Sequence, residues 1–202
     1  MNTEQELKLI SPIPPSVNHY LAPRIYYDNR TRQPRVMMYE TSEAKKYKKA
    51  FTSYVKEQVR KQGWVMPENK FQQIYCDAIF YFDRIDNDSN NRWKVSLDSI
   101  TESQCVWIDD NIVCERTNAI FYDINNPRME MTIHLVDRIG IFNTIDQFKQ
   151  FEIKCASCSR YREGKCSILT KALEARIQPE VTKINDEYIC EKFKETKVKK
   201  GK

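Results

Sequence analysis

Apolar residues alternate with polar ones along some stretches of this chain and recur at helical spacing along others, so its elements can be read in order. Leu7, Leu9 and the following Ile10 predict a short strand. It must end in Ser11-Pro12-Ile13-Pro14-Pro15-Ser16, because proline donates nothing to a ladder. Between residues 24 and 39 the runs Ile25-Tyr26-Tyr27 and Val36-Met37-Met38-Tyr39 flank the turn signal Asp28-Asn29-Arg30-Thr31 and predict a hairpin. Thr41 or Ser42 then caps a helix in which Ala44, Tyr47, Phe51, Tyr54, Val55 and Val59 follow the 3.6-residue period until Gly63 stops it. Its polar positions include Lys45, Lys46, Lys48, Lys49, Lys56 and Lys61, read as one lysine face.

Ile74, Cys76, Ala78, Phe80 and Phe82 alternate with more polar neighbours, the period of a strand over 71–82. Residues 112–122 and the alternating Met129, Met131, Ile133 and Leu135 predict two further strands, with a helix over 90–102 before them. Strands interrupted by one inserted helix argue an α+β domain: a mixed, mainly antiparallel sheet covered by two helices. It should close near Asp137. Residues 138–202 show no strand alternation, hold four of the seven cysteines, and end in a dozen residues with six lysines. The expected division is therefore a domain over 1–137, a small cysteine-rich metal-binding module over 138–190 and a basic disordered tail over 191–202.

Composition narrows the class. No run reaches the roughly 18 apolar residues of a membrane span, and the first residues lack the basic-then-apolar pattern of an export signal. The expectation is a cytoplasmic protein with no membrane partner, whose seven cysteines are thiols or metal ligands rather than disulfides. The net charge of +5 changes sign along the chain. Residues 24–61 hold 11 basic and 4 acidic side chains, residues 62–137 hold 6 and 13, and residues 138–202 hold 15 and 9. Basic flanks around an acidic centre suit a polyphosphate held about a divalent cation, and ordinary solvated charge is the alternative.

The acidic centre runs Asp86-Asn87-Asp88-Ser89-Asn90-Asn91-Arg92-Trp93-Lys94 out of a strand and into a helix. On that helix Asn90, Lys94 and Asp98 form a polar stripe beside the apolar stripe of Trp93, Leu97 and Ile100. A second pair, Asp109-Asp110, follows just before the next strand. Oxygen ligands on two chain segments make a Mg²⁺ site, with Lys94 placed to meet a phosphate oxygen. The plain alternative is that Asp88 caps the helix and Asp109-Asp110-Asn111 is a turn.

The pattern Asp88-x-Asn90-Asn91-x-x-Lys94-x-x-x-Asp98, followed by Trp107-x-Asp109-Asp110, resembles the signature of the RusA family of Holliday-junction resolvases. Pro14-Pro15-Ser16-Val17-Asn18-His19-Tyr20 is similar to that family's loop after its first strand. The likeness spans about residues 5–137. It implies a homodimer that cuts four-way DNA junctions with Mg²⁺ or Mn²⁺, in a bacterial or phage-infected cell. Asp88 and Asp110 would be metal ligands, Asn90 would stand in the metal and catalytic set, Lys94 would face the phosphate, and Asp98, Asp109 and Asp86 would support them. DNA contacts are expected from Asn18, from hairpin residues Arg24, Arg30, Arg32 and Arg35, and from Lys45, Lys48 and Lys49. One departure matters: Asn90 stands where the family has an aspartate, and an amide oxygen ligates without adding negative charge. A junction or fork binder with weak or no cleavage is the alternative that this leaves open.

Cys155-x-x-Cys158, Cys166 and Cys190 give a separate signal. A C-x-x-C knuckle plus two further cysteines can close a tetrahedral Zn²⁺ site, while an iron–sulfur cluster or unligated thiols use the same residues. Cys76, Cys105 and Cys114 lie in apolar segments and are expected in the core.

Overall fold

The computed structural model describes residues 5–176 and 179–196, and residues 197–202 of the expected tail lie outside it. The described residues divide into two units, one of residues 5–70 and 74–135, the other of residues 71–73, 136–176 and 179–196.

In chain order the first unit and the strands leading out of it comprise β1 (Glu6–Pro12), α1 (Val17–Tyr20), β2 (Leu21–Tyr27), β3 (Pro34–Glu40), α2 (Ser42–Gln62), β4 (Gln72–Phe82), α3 (Asn90–Ser103), β5 (Val113–Tyr122) and β6 (Arg128–Ile139). The sheet order is β1-β6-β4-β5. β1 runs antiparallel to β6, with Leu7 opposite Ile133 and Leu9 opposite Met131. β5 runs parallel to β4, which requires a crossover between them, and α3 supplies it. The architecture is thus α+β with a mixed sheet.

Period two holds along β4: Ile74, Cys76, Ala78, Phe80 and Phe82 are all buried, together with Leu7, Leu9, Met129, Met131 and Ile133 from the neighbouring strands. Phe51 and Val55 of α2 and Trp93, Leu97 and Ile100 of α3 close this core from one side. Thr41 caps α2 by accepting from the Ala44 amide, and Gly63, at φ +68°, ends it in the left-handed region. Along α3, the buried Ser96, Ser99 and Ser103 turn their hydroxyls back onto helix carbonyls. Thr52 of α2 donates to the Ser99 carbonyl at 2.9 Å, so the small side chains let α2 pack closely on α3.

One cysteine corrects the expectation of a core role: Cys114 is exposed because β5 lies at the edge of the sheet, whereas Cys105, half-buried beyond the end of α3, packs against the core. Cys76 is buried as expected.

The hairpin β2–β3 forms with Ile25 opposite Val36. Both of its faces are solvent-exposed, including Ile25 at 68% and Tyr27 at 70%.

The second unit carries α4 (Ile145–Ala156), α5 (Ser167–Leu173) and an antiparallel hairpin, β7 (Val181–Ile184) and β8 (Glu187–Cys190). Four-residue strands are too short for alternation to show in sequence. The core here is aromatic: Phe142 meets Phe148, Phe151 and Tyr188 at centroid distances of 5.5, 5.2 and 4.8 Å. Residues 191–196 belong to this packing, since the Ser159 amide donates to Lys194 O at 2.7 Å and the Thr196 amide to Ser157 O at 2.9 Å. Among the described residues no helix is long and apolar enough to cross a membrane.

Candidate functional site

In the first unit three loops meet at or flank α3: the proline loop, the acidic loop that leads into it and the turn that follows it. Arg92, on its first turn, donates from Nη1 to the Pro14 carbonyl at 2.8 Å and from Nη2 to Asn87 Oδ1. One guanidinium thereby ties the proline loop before α1 to the acidic loop before α3. Its Nε is buried with no partner among the described residues, and burial lowers the pKa of the group against the pull of Asp83, Glu43 and Asp88. The third segment is the single 3₁₀ turn Asp110–Ile112, which Asp109 caps by accepting from the Asn111 amide at 3.0 Å.

Asp88 accepts from the Asn90 amide at 2.9 Å through one oxygen and from the Asn91 side-chain amide at 2.8 Å through the other. It bonds the first amide of α3 much as the plain alternative describes, the N-cap residue Ser89 making no side-chain cap bond of its own, and each Asp88 oxygen retains acceptor capacity for a cation. Asn90 is exposed. Lys94, one turn on, pairs with Asp98 at 2.6 Å. That hydrogen bond raises the Lys94 pKa, and the charges of Asp98, Asp110 and Tyr20 raise it further, so these groups share one electrostatic neighbourhood. Asp86 is turned aside and pairs with Arg84 at 2.9 Å.

Behind this surface sits Lys48. It was expected on the lysine face and is instead buried, its ammonium 2.7 Å from both Glu40 and Glu102 and 3.9 Å from Asp98. Burial alone would lower its pKa, but bonding to Glu102 and Glu40 outweighs that and holds it above the usual lysine range. A lysine held by three carboxylates is a strut and presents no phosphate contact. Its Nζ also lies 5.7 Å from the centroid of Tyr20. Asp98 thus lies between two ammonium groups, one interior and one exposed.

The other expected DNA contacts are accessible. Arg24, Arg30, Arg32, Lys45, Lys49 and Asn18 are exposed. Arg35 is exposed and pairs with Asp28 in the hairpin turn at 3.1 Å. Tyr20, Glu40, Arg92 and Glu102 were not singled out in the sequence. Only Lys48 had a usable signal there: Ala44, Lys48, Phe51 and Val55 are spaced by four, three and four, the stripe that α2 buries.

The donors suit a hard cation in kind, all being carboxylate or amide oxygens. They are not gathered as a closed shell: among the described residues no three His, Cys, Asp or Glu side chains stand grouped to hold an ion. Mg²⁺ asks less, since one or two carboxylates suffice when water and substrate phosphate fill the other positions. Asp88, in the loop before α3, and Asp110, in the turn after it, are carboxylates of that kind, and Asn90 is a neutral oxygen donor.

No family model matches the chain, and no curated protein matches it.

Proposed function

We propose that this protein is a divalent-cation-dependent, structure-selective endonuclease that resolves four-way DNA junctions as a homodimer. The observation that carries the reading is that Arg92, on the first turn of α3, bonds the proline loop and the acidic loop together, while Lys94 on the same helix pairs with Asp98 and feels the charge of Asp110 from the turn that follows. These are the segments in which the sequence resembles the RusA family.

In this reading Asp88 and Asp110 hold Mg²⁺ or Mn²⁺, and Asn90 adds an uncharged oxygen. The ion supplies charge neutralisation at the phosphate and activation of water when bound. Lys94 keeps its proton, and its exposed ammonium is aimed by Asp98 to meet the charge that builds on the phosphate oxygens. Lys48 fixes Asp98 from the interior. Asp109 fixes the turn that carries Asp110.

Two surfaces support a dimer. On the hairpin, Pro23, Ile25, Tyr27, Val36 and Met38 share one face by register and are exposed, which leaves an apolar ribbon uncovered. The opposite face carries Arg24, Tyr26, Arg35, Met37 and Tyr39, a mixture suited to a DNA backbone. β5 is an edge strand whose end exposes Ile120, Phe121 and Tyr122, and edges of this kind are usually covered. A second copy would bury both surfaces and place two sites across a two-fold junction.

A non-cleaving junction binder is the second reading. It is favoured by Asn90 and by the engagement of both Asp88 oxygens in hydrogen bonds to Asn90 and Asn91. Competition binding with a synthetic four-way junction and a linear duplex of equal length, run beside light scattering, tests what the two readings share. Junction preference by a dimer is expected. A monomer that binds both DNAs equally would exclude both.

A further inference from the structure

The second unit holds a cluster that the nuclease reading does not use. Cys155 lies in the last turn of α4, and Cys158 follows in a tight turn, its amide donating to the Cys155 carbonyl at 2.9 Å. The chain then reverses through Arg162–Lys165 with Gly164 at φ +74°, a conformation that favours glycine, and delivers Cys166 to the start of α5. Cys190 closes β8. Side chains 35 positions apart in sequence at the extremes thereby line one cavity, walled further by Phe151 and Leu169. None of the four is in a disulfide. The cavity holds about 20 Å³, room for roughly one water-sized sphere.

A main-chain donor points at one of the sulfurs: the Lys194 amide reaches Cys158 Sγ at 3.4 Å, the kind of second contact that orients a metal-bound sulfur. Arg160, Arg162 and Lys194 line an adjoining hollow beside Cys166, which offsets the net negative charge that four thiolates keep around a divalent ion.

We infer that Cys155, Cys158, Cys166 and Cys190 bind one structural Zn²⁺ as four thiolates. Binding forms four Zn–S bonds and releases the thiol protons to solvent, with no change of oxidation state. The thiols line the cavity without being drawn into a shell, consistent with the lack of any three grouped ligands among the described residues. Ligation supplies that last approach, to about 2.3 Å for each Zn–S bond. The ion would staple the end of α4, the start of α5 and the end of β8, three segments that the Phe142 cluster packs from one side.

The test is elemental analysis of the full chain purified without added metal, beside Cys158→Ser, Cys190→Ser and, as a control in the first unit, Cys114→Ser. About one zinc per chain is expected in the wild type and Cys114→Ser, with loss in the other two. Where those variants fail to fold, wild type exchanged with Co²⁺ gives the second readout: intense visible bands of a tetrahedral four-thiolate site support the inference. Iron with a visible absorbance, no metal at all, zinc that survives both substitutions, or the weak bands of an octahedral cobalt site would each overturn it. None of these readouts depends on cleavage.

Discussion

Replacing Lys48 by methionine keeps much of the side-chain volume and removes the charge on which Glu40, Glu102 and Asp98 converge. Breaking a fully buried ion pair costs about 3–5 kcal/mol, while an exposed pair contributes about 0–1. The Lys48 side chain is 9% exposed, but Glu40 is 30% and Glu102 52% exposed, so part of the stranded charge can hydrate. We expect a loss of about 2 kcal/mol, which at about 2–4 °C per kcal/mol lowers Tm by about 4–8 °C. Thermal denaturation followed by circular dichroism measures it, with Lys49→Met as an exposed comparison expected within about 0.5 kcal/mol of wild type. The pKa of Lys48 is raised on folding, so its contribution is complete below about pH 10.4 and is lost only as pH rises through the higher folded value. DNA binding adds an independent check. Lys49→Met should lower the slope of log K against log salt by about 0.9, and Lys48→Met should leave it unchanged. A Lys48→Met protein that melts with wild type, or loses salt dependence as Lys49→Met does, would refute the strut.

Three further outcomes follow from single contacts. Arg92→Lys cannot span Pro14 O and Asn87 Oδ1 together and should cost about 1–3 kcal/mol in urea denaturation, with a matching fall in junction cleavage. Asn90→Asp restores a charge beside Asp88 and should lower the Mg²⁺ concentration for half-maximal cleavage, read from a metal titration; an unchanged midpoint would remove Asn90 from the ligand set. Gly140→Ala places a Cβ against the backbone of Ala172 and Leu173 at φ +52° and should destabilise the second unit by about 3 kcal/mol or more, seen as an earlier urea transition of that unit.

Much of the first unit was legible because single-residue patterns decide it. Ile74 to Phe82 alternate, Ala44 to Val59 recur helically, and Gly63 has the conformational freedom that a helix end needs. The parallel pairing of β4 with β5 was less visible, since pairing partners leave no periodic trace. At the candidate site, Asp88, Lys94, Asp98 and Asp110 were singled out from spacing and resemblance; the structure pairs Lys94 with Asp98, and the charge of Asp110 acts on Lys94. Glu40 and Glu102 were not readable: each meets Lys48 only through tertiary packing, 8 and 54 residues away in sequence. Lys48 itself was misplaced because its charge outweighed its position in the reading, although its spacing from Ala44, Phe51 and Val55 put it on the buried stripe. Cys114 erred the other way, since an apolar neighbourhood in sequence does not reveal a sheet edge.

The central claim is that the surface built on α3 cuts branched DNA. Its most direct test is incubation of an end-labelled mobile four-way junction with Mg²⁺ and either the wild type or Asp110→Asn, resolved on a denaturing gel. The account predicts paired, symmetrically placed nicks with the wild type, and none with Asp110→Asn although that protein still shifts the junction on a native gel. Cleavage that survives Asp110→Asn combined with Asp88→Asn would contradict it.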